Sequence, residues 1–128
     1  MTTSSVLGSH KIMAFVATRD RARAQAFYRD TLGIRFVSED PYATVFDANG
    51  IMLRISEVPK WTPPQHTVLG WEVPDIVATV KKLEKAGVKF ERYSFMQQDE
   101  RGIQTFPGGA RVAWFQDPDG NILSVTQF

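Results

Sequence analysis

Two hydrophobic periods alternate along this chain, and the alternation predicts its elements. An apolar run from Ile12 to Ala17 reads as a strand, followed by Ala24, Phe27, Tyr28, Thr31 and Leu32 at the i, i+3, i+4, i+7 spacing of a helix face. Asp20 stands at the N-cap of that helix and Gly33 at its end. Three short β-like stretches come next, Ile34 to Val37, Tyr42 to Phe46 and Ile51 to Ile55, the last two separated by the turn Asp47-Ala48-Asn49-Gly50. The cycle then returns. Thr67 to Val73 reads as a strand, Asp75 caps a helix whose apolar stripe is Ile76, Val80 and Leu83, and Gly87 closes it. Lys81, Lys82 and Lys85 gather toward the end of this helix, where the macrodipole favours cations. Val88 to Tyr93, Arg111 to Gln116 and Asn121 to Thr126 complete the cycle, with Asp117-Pro118-Asp119-Gly120 turning between the last two. In both turns Asp is placed to bond its own backbone and Gly to supply a positive φ.

The halves align as βαβββ twice, which predicts an α+β fold. A period of about 60 residues in only two copies is too long and too few for a solenoid, so the halves read as a pseudo-twofold pair. Residues 11–57 form the first module and residues 67–128 the second. The linker 58–66 is marked by Pro59, Pro63 and Pro64, because proline cannot continue a strand ladder and stiffens a connection. Residues 1–10 are expected to form a flexible N-terminal tail. Ser94 to Ala110 is a long connection, which reads either as a lid or binding loop or as a segment holding a short helical turn. No helix follows its Gly108-Gly109 pair, so it is not a phosphate-binding loop.

Composition narrows the function. With 15 Lys+Arg against 14 Asp+Glu the net charge is +1, and both dense basic stretches, Arg19 to Arg29 and Lys81 to Lys85, are interspersed with acids or confined to one helix face. That is a solvated surface rather than the clustered excess that neutralises phosphates, so no nucleic-acid partner is expected. No apolar run reaches the roughly 18 residues of a membrane span, and Met1 to His10 lacks the basic start and apolar stretch of a secretory signal. A soluble, cytoplasmic protein without a membrane partner is the expectation. The absence of cysteine excludes thiol nucleophiles and thiolate zinc sites.

The stretch Thr18-Arg19-Asp20 through Phe27-Tyr28 to Leu32-Gly33, with Phe115-Gln116-Asp117-Pro118-Asp119-Gly120-Asn121, resembles the two signature regions of the vicinal oxygen chelate superfamily. That superfamily includes glyoxalase I, extradiol dioxygenases and the fosfomycin and bleomycin resistance proteins. The resemblance covers residues 10 to 128. It implies two βαβββ modules forming an eight-stranded open cup, commonly assembled as a homodimer. In the superfamily's enzymes it also implies a divalent metal held by His and Glu side chains from the first and last strands of each module. Counting seven residues back from Asp20 and Asp75 gives Met13 and Val68, and counting seven on from Asp47 and Asp117 gives Arg54 and Ser124. Met sulfur is soft, Val is inert and Arg brings a fixed positive charge, so this set is no home for a hard or borderline cation. No metal and no cofactor is therefore expected. A shifted site would have to centre on His66, with Glu72 and Glu57 in support.

Strand alternation assigns the cup face. Met13 and Phe15 with Ala17, Met52 and Arg54 with Ser56, His66, Val68, Gly70 and Glu72, and Ile122, Ser124 and Thr126 face inward, while Ile12, Ala14 and Val16 pack under the helices. The expected ligand-binding set is Met13, Phe15, Met52, Arg54, His66, Glu72, Ile122 and Ser124: an apolar lining with a few polar anchors, suited to a small organic molecule. Arg54 either grips a carboxylate or phosphate or pairs with Glu72. Trp71 reads as helix-side core, Trp114 and Phe115 compete for the inward position, and Trp61 in the linker caps a ligand or meets a second copy. The function expected is binding of a small organic molecule in a metal-free cup, similar to the bleomycin resistance branch. The alternative is a lyase, isomerase or dioxygenase-like enzyme with a relocated metal, or with Arg54, Glu72 and His66 as acid-base groups. An oligomerisation or regulatory module without ligand is a third reading.

Overall fold

Both helices start where the sequence places a cap. In the computed structural model, which describes residues 6–128, Asp20 and Asp75 accept hydrogen bonds from the backbone N–H of Arg23 and Ala78 at 3.2 and 3.1 Å. The first module runs β1 (Met13–Thr18), α1 (Arg21–Ala26), β2 (Arg35–Glu39), β3 (Ala43–Ala48) and β4 (Ile51–Glu57). The second runs β5 (Thr67–Glu72), α2 (Ile76–Lys85), β6 (Gln104–Thr105), β7 (Arg111–Gln116) and β8 (Ile122–Gln127). Helix α1 does not stop at Ala26 but widens into a π-helical turn over Phe27–Thr31, and Gly33 at φ +73° releases the chain toward β2.

Each module forms a four-stranded mixed sheet, in the orders β1-β4-β3-β2 and β5-β8-β7-β6. The first strand of each lies parallel to the last, and β1 and β5 bring the two sheets edge to edge. One apolar cluster runs under both helices, from Val16, Tyr28, Phe46, Leu53 and Ile55 to Ile76, Val80, Phe115, Leu123 and Val125. Tyr28, Ile76 and Val80 come from the helices and the others are alternate residues of β1, β3, β4, β7 and β8, so the opposite residues of the same strands form the second face of the sheets.

Two expectations need correction. Val88 to Tyr93 is not a strand, because only Phe90 bridges to Phe115. The Gln98 side chain ties the following loop to Tyr93 N–H and to the carbonyls of Glu91 and Gly102, and the edge-strand role passes to β6. Ile12 is 74% exposed, since β1 begins one residue later and no helix reaches over its start. Of the expected tail, the first five residues lie outside the described ones, and residues 6–10 form an exposed turn in which His10 N–H donates to the Leu7 carbonyl.

The modules are joined at the β7–β8 hairpin. Asp117 is buried and accepts from Tyr28 Oη at 2.7 Å, from Asn121 Nδ2 at 2.7 Å, and from the backbone N–H of Asp119 and Asn121 at 2.9 Å each. Asn121 also donates to the Ala17 carbonyl, while Asp119 accepts from Thr18 Oγ1 and from Arg19 N–H. Burial pushes the Asp117 carboxyl up from its ordinary value, against the pull of these hydrogen bonds. Tyr28 is pushed far up, first by burial and then by the Asp117 charge, so it stays a donor.

Candidate functional site

Strand register decides which side chains share the outer face. Across the first sheet Met13 sits beside Met52, Phe15 beside Arg54 and Ala17 beside Ser56, and Arg54 and Met52 are followed on β3 by Val45 and Asp47. Across the second, Gly70 sits beside Ser124 and then Trp114, with Ile122 beside Gln116. Met13, Phe15 and Met52 are 46, 60 and 42% exposed, so this face holds open apolar side chains beside the polar Arg54, Asp47 and Ser56. Gly70 has a close reason to be glycine: a Cβ there would stand 2.8 Å from Ser124 Oγ.

The structure spreads the expected residues over several clefts. Met13 and Met52 line one with Ile12, Val37 and Val45. Phe15 lies at the β1–β5 seam with Val68, Asn121 and, from the linker, Trp61 and Pro64. His66 and Ile122 line a third on the second sheet. Glu72 lines a fourth, with Leu32, Trp71, Val73 and Leu83. His66 and Glu72 therefore do not meet in one pocket, and the acid-base reading loses the geometry it needs.

Arg54 has a partner, and it is not Glu72. Its Nη2 donates to Asp40 Oδ2 at 2.8 Å, both groups partly buried, and Asp40 also accepts from the N–H of Tyr42 and Ala43 at 2.8 Å each. The Arg54 guanidinium holds the Asp40 carboxyl below the usual carboxylate range, helped by those two backbone donors. The reason is topological: Asp40 lies in the β2–β3 connection of the same sheet, whereas Glu72 ends a strand of the other.

The donor chemistry does not fit a divalent cation at the four matched positions. Met13, Val68 and Ser124 offer no carboxylate or imidazole, and Arg54 brings a charge already committed to Asp40. Among the described residues, no group of three or more His, Asp and Glu could hold a metal ion.

Sequence reasoning missed a set of rings. Tyr93, Phe95, Met96 and Trp114 line the His66 cleft together with Gln65, Thr67 and Ile122. Tyr93 and Trp114 meet edge to face at 5.8 Å, Phe106 meets Trp114 at 6.4 Å, and Phe95 lies tilted against Tyr93 at 5.6 Å. The signal was the density of aromatics between Phe90 and Phe115. Trp114 takes the outer face and Phe115 the core, and Trp71 packs against the core.

Comparison with known proteins agrees with this architecture. Among solved structures, a lactoylglutathione lyase from Agrobacterium tumefaciens superposes with a TM-score of 0.71 at 18% identity, covering 93% of each chain. A member of the glyoxalase/bleomycin resistance protein/dioxygenase superfamily from Sphaerobacter thermophilus gives 0.72 at 22% identity, covering 96% of this chain and 100% of that one. An integron cassette protein from the mobile metagenome of Halifax Harbour sewage outfall gives 0.71 at 21%, covering 94% and 99%. At such identities the likeness speaks for the fold alone. No curated protein matches the sequence. No described helix is long and apolar enough to cross a membrane. The family profile matches residues 9–125, and on that match the chain belongs to the Glyoxalase/Bleomycin resistance protein/Dioxygenase superfamily.

Proposed function

We propose that this protein binds a small organic molecule on the outer face of its two sheets, without a metal, as a cytoplasmic homodimer of the kind common in its superfamily. The observation that carries the reading is the exposure of Met13, Phe15 and Met52 on a face that the helices do not cover. Apolar side chains held open beside clefts, with few charges among them, suit a ligand with an apolar body and one or two polar groups. The Arg54–Asp40 pair supplies polarity to the first sheet without leaving a lone cation.

The test is a small-molecule screen by melting temperature on the full chain, followed by calorimetry on the hits. A ligand present at a hundred times its Kd stabilises by about 2.7 kcal/mol, enough for a clear shift. Phe15→Asp lies on the open face and leaves the core intact, so it should fold and lose the shift. Hits whose effect survives Phe15→Asp, Met13→Asp and Trp114→Leu alike would place binding elsewhere. Light scattering checks the assembly, with a dimer expected.

A further inference from the structure

We infer that the cleft on the second sheet selects a planar aromatic group that carries no negative charge, and that this group is the part of the ligand the protein recognises. The inference rests on the small-molecule reading above and names its ligand class. Three observations carry it. First, the lining is Gln65, His66, Thr67, Tyr93, Phe95, Met96, Trp114 and Ile122, with no lysine, arginine, aspartate or glutamate among them. A carboxylate placed here would meet the negative faces of the rings with no lysine or arginine in return. Second, Tyr93 and Trp114 stand nearly perpendicular, 80° apart with centroids at 5.8 Å. They make a corner in which a flat ring can lie against one face and present its edge to the other, the two arrangements aromatic pairs prefer. Third, Phe95 is 79% exposed beside this corner, and its ring is tilted only 34° from that of Tyr93. A ring entering the cleft would cover it.

Size and rim fill in the class. The cleft measures about 170 Å³, and a cavity of about 150 Å³ admits benzene, so one ring or a fused pair fits. Gln65, His66, Thr67 and the Tyr93 hydroxyl bring polar groups to the lining, so a hydrogen-bonding substituent on the ring is the expected decoration. The rest of a larger ligand would run over Ile122 toward the β5–β8 face.

The experiment uses three probes, indole, indole-3-carboxylate and cyclohexanol, with binding to the full chain followed by saturation-transfer NMR. Indole should bind, indole-3-carboxylate at least tenfold more weakly, and cyclohexanol at least tenfold more weakly. Trp114→Leu should weaken indole tenfold or more. Because Trp114 supports its neighbours, Phe95→Ser serves as the second variant: its side chain is exposed, so the fold should stand while indole weakens several-fold. Lys81→Gln, on the exposed side of α2, should leave indole unchanged. Cyclohexanol binding as well as indole would overturn the inference. So would a preference for indole-3-carboxylate that disappears in Arg54→Gln and survives Trp114→Leu, although small-molecule binding would then remain. A Phe95→Ser chain that turns from dimer to monomer with indole binding unaltered would assign the rings to a second copy, which also overturns it. If no compound in a wide screen binds anywhere, the proposed function falls with it.

Discussion

Asp47 and Asp117 each open a hairpin turn that closes on a glycine, yet they end in different places. Asp47 lies on the β3 ladder opposite Met52, partly exposed, and pairs with Arg35 at 2.7 Å. Asp117 lies off the ladder, buried, and holds Tyr28 of the other module. Loop length makes the difference. In the first hairpin Ala48 pairs with Ile51, leaving Asn49 and Gly50 at φ +52° and +93° as a tight turn. In the second Gln116 pairs with Ile122, and the longer loop 117–121 lets Asp117 leave the strand and turn its carboxylate toward the helices. The same residue pattern thus gives a local turn in one module and the joint between modules in the other.

The largest expected effect separates the two aspartates directly. Asp117→Ala leaves Tyr28 Oη, Asn121 Nδ2 and two backbone N–H groups without their acceptor, and should cost about 3 kcal/mol or more in urea denaturation. Asp47→Ala breaks an exposed ion pair and a turn bond to Gly50 N–H, and should cost much less. Equal losses would erase the distinction.

Tyr28→Phe comes next, at about 1–2 kcal/mol, because it removes one donor from a buried carboxylate while keeping the ring against Phe27 and Phe46. Gly120→Ala should cost more than Gly50→Ala, roughly 2 against roughly 1 kcal/mol. Both glycines have positive φ, but a Cβ on Gly120 would also stand 3.1 Å from Pro63 Cγ in the linker, while nothing meets one on Gly50.

The smallest effect is on pH dependence. The folded-state value for Asp117 is raised, so as pH climbs past the ordinary carboxylate range the unfolded chain releases this proton first. Its contribution to stability is therefore full below about pH 4 and is lost as pH rises through the raised folded value. Asp40 and Asp47, held low by Arg54 and Arg35, act in the opposite sense: their contribution is present above the ordinary value and lost as pH falls through the lowered one. Denaturation midpoints taken from pH 3 to 8 should show a decline on the alkaline side of pH 4 that Asp117→Asn flattens and Asp47→Asn does not.

Much of the architecture was legible because local rules fixed it. The two Asp caps, the helix-ending glycines and strand alternation placed the helices, the repeat and the open face bearing Met13, Phe15, Met52 and Arg54. What was not legible depended on distances across the fold. Both turns read alike until a five-residue loop, in place of a two-residue one, sent Asp117 inward. Glu72 was a plausible partner for Arg54 by strand alternation, but Asp40, brought close by the β2–β3 connection, took that place. The Tyr93–Trp114 corner arises because residues 94–103 fold back on Gln98 instead of continuing a strand, which no hydrophobic period records.

Metal content tests the metal-free reading most directly: mass spectrometry on untagged protein, as purified and after chelation and reloading with Zn, Mn, Fe, Ni and Co, with melting temperature alongside. The account predicts far less than one equivalent of any metal and no thermal shift on reloading. Near-stoichiometric metal that raises the melting temperature would contradict it.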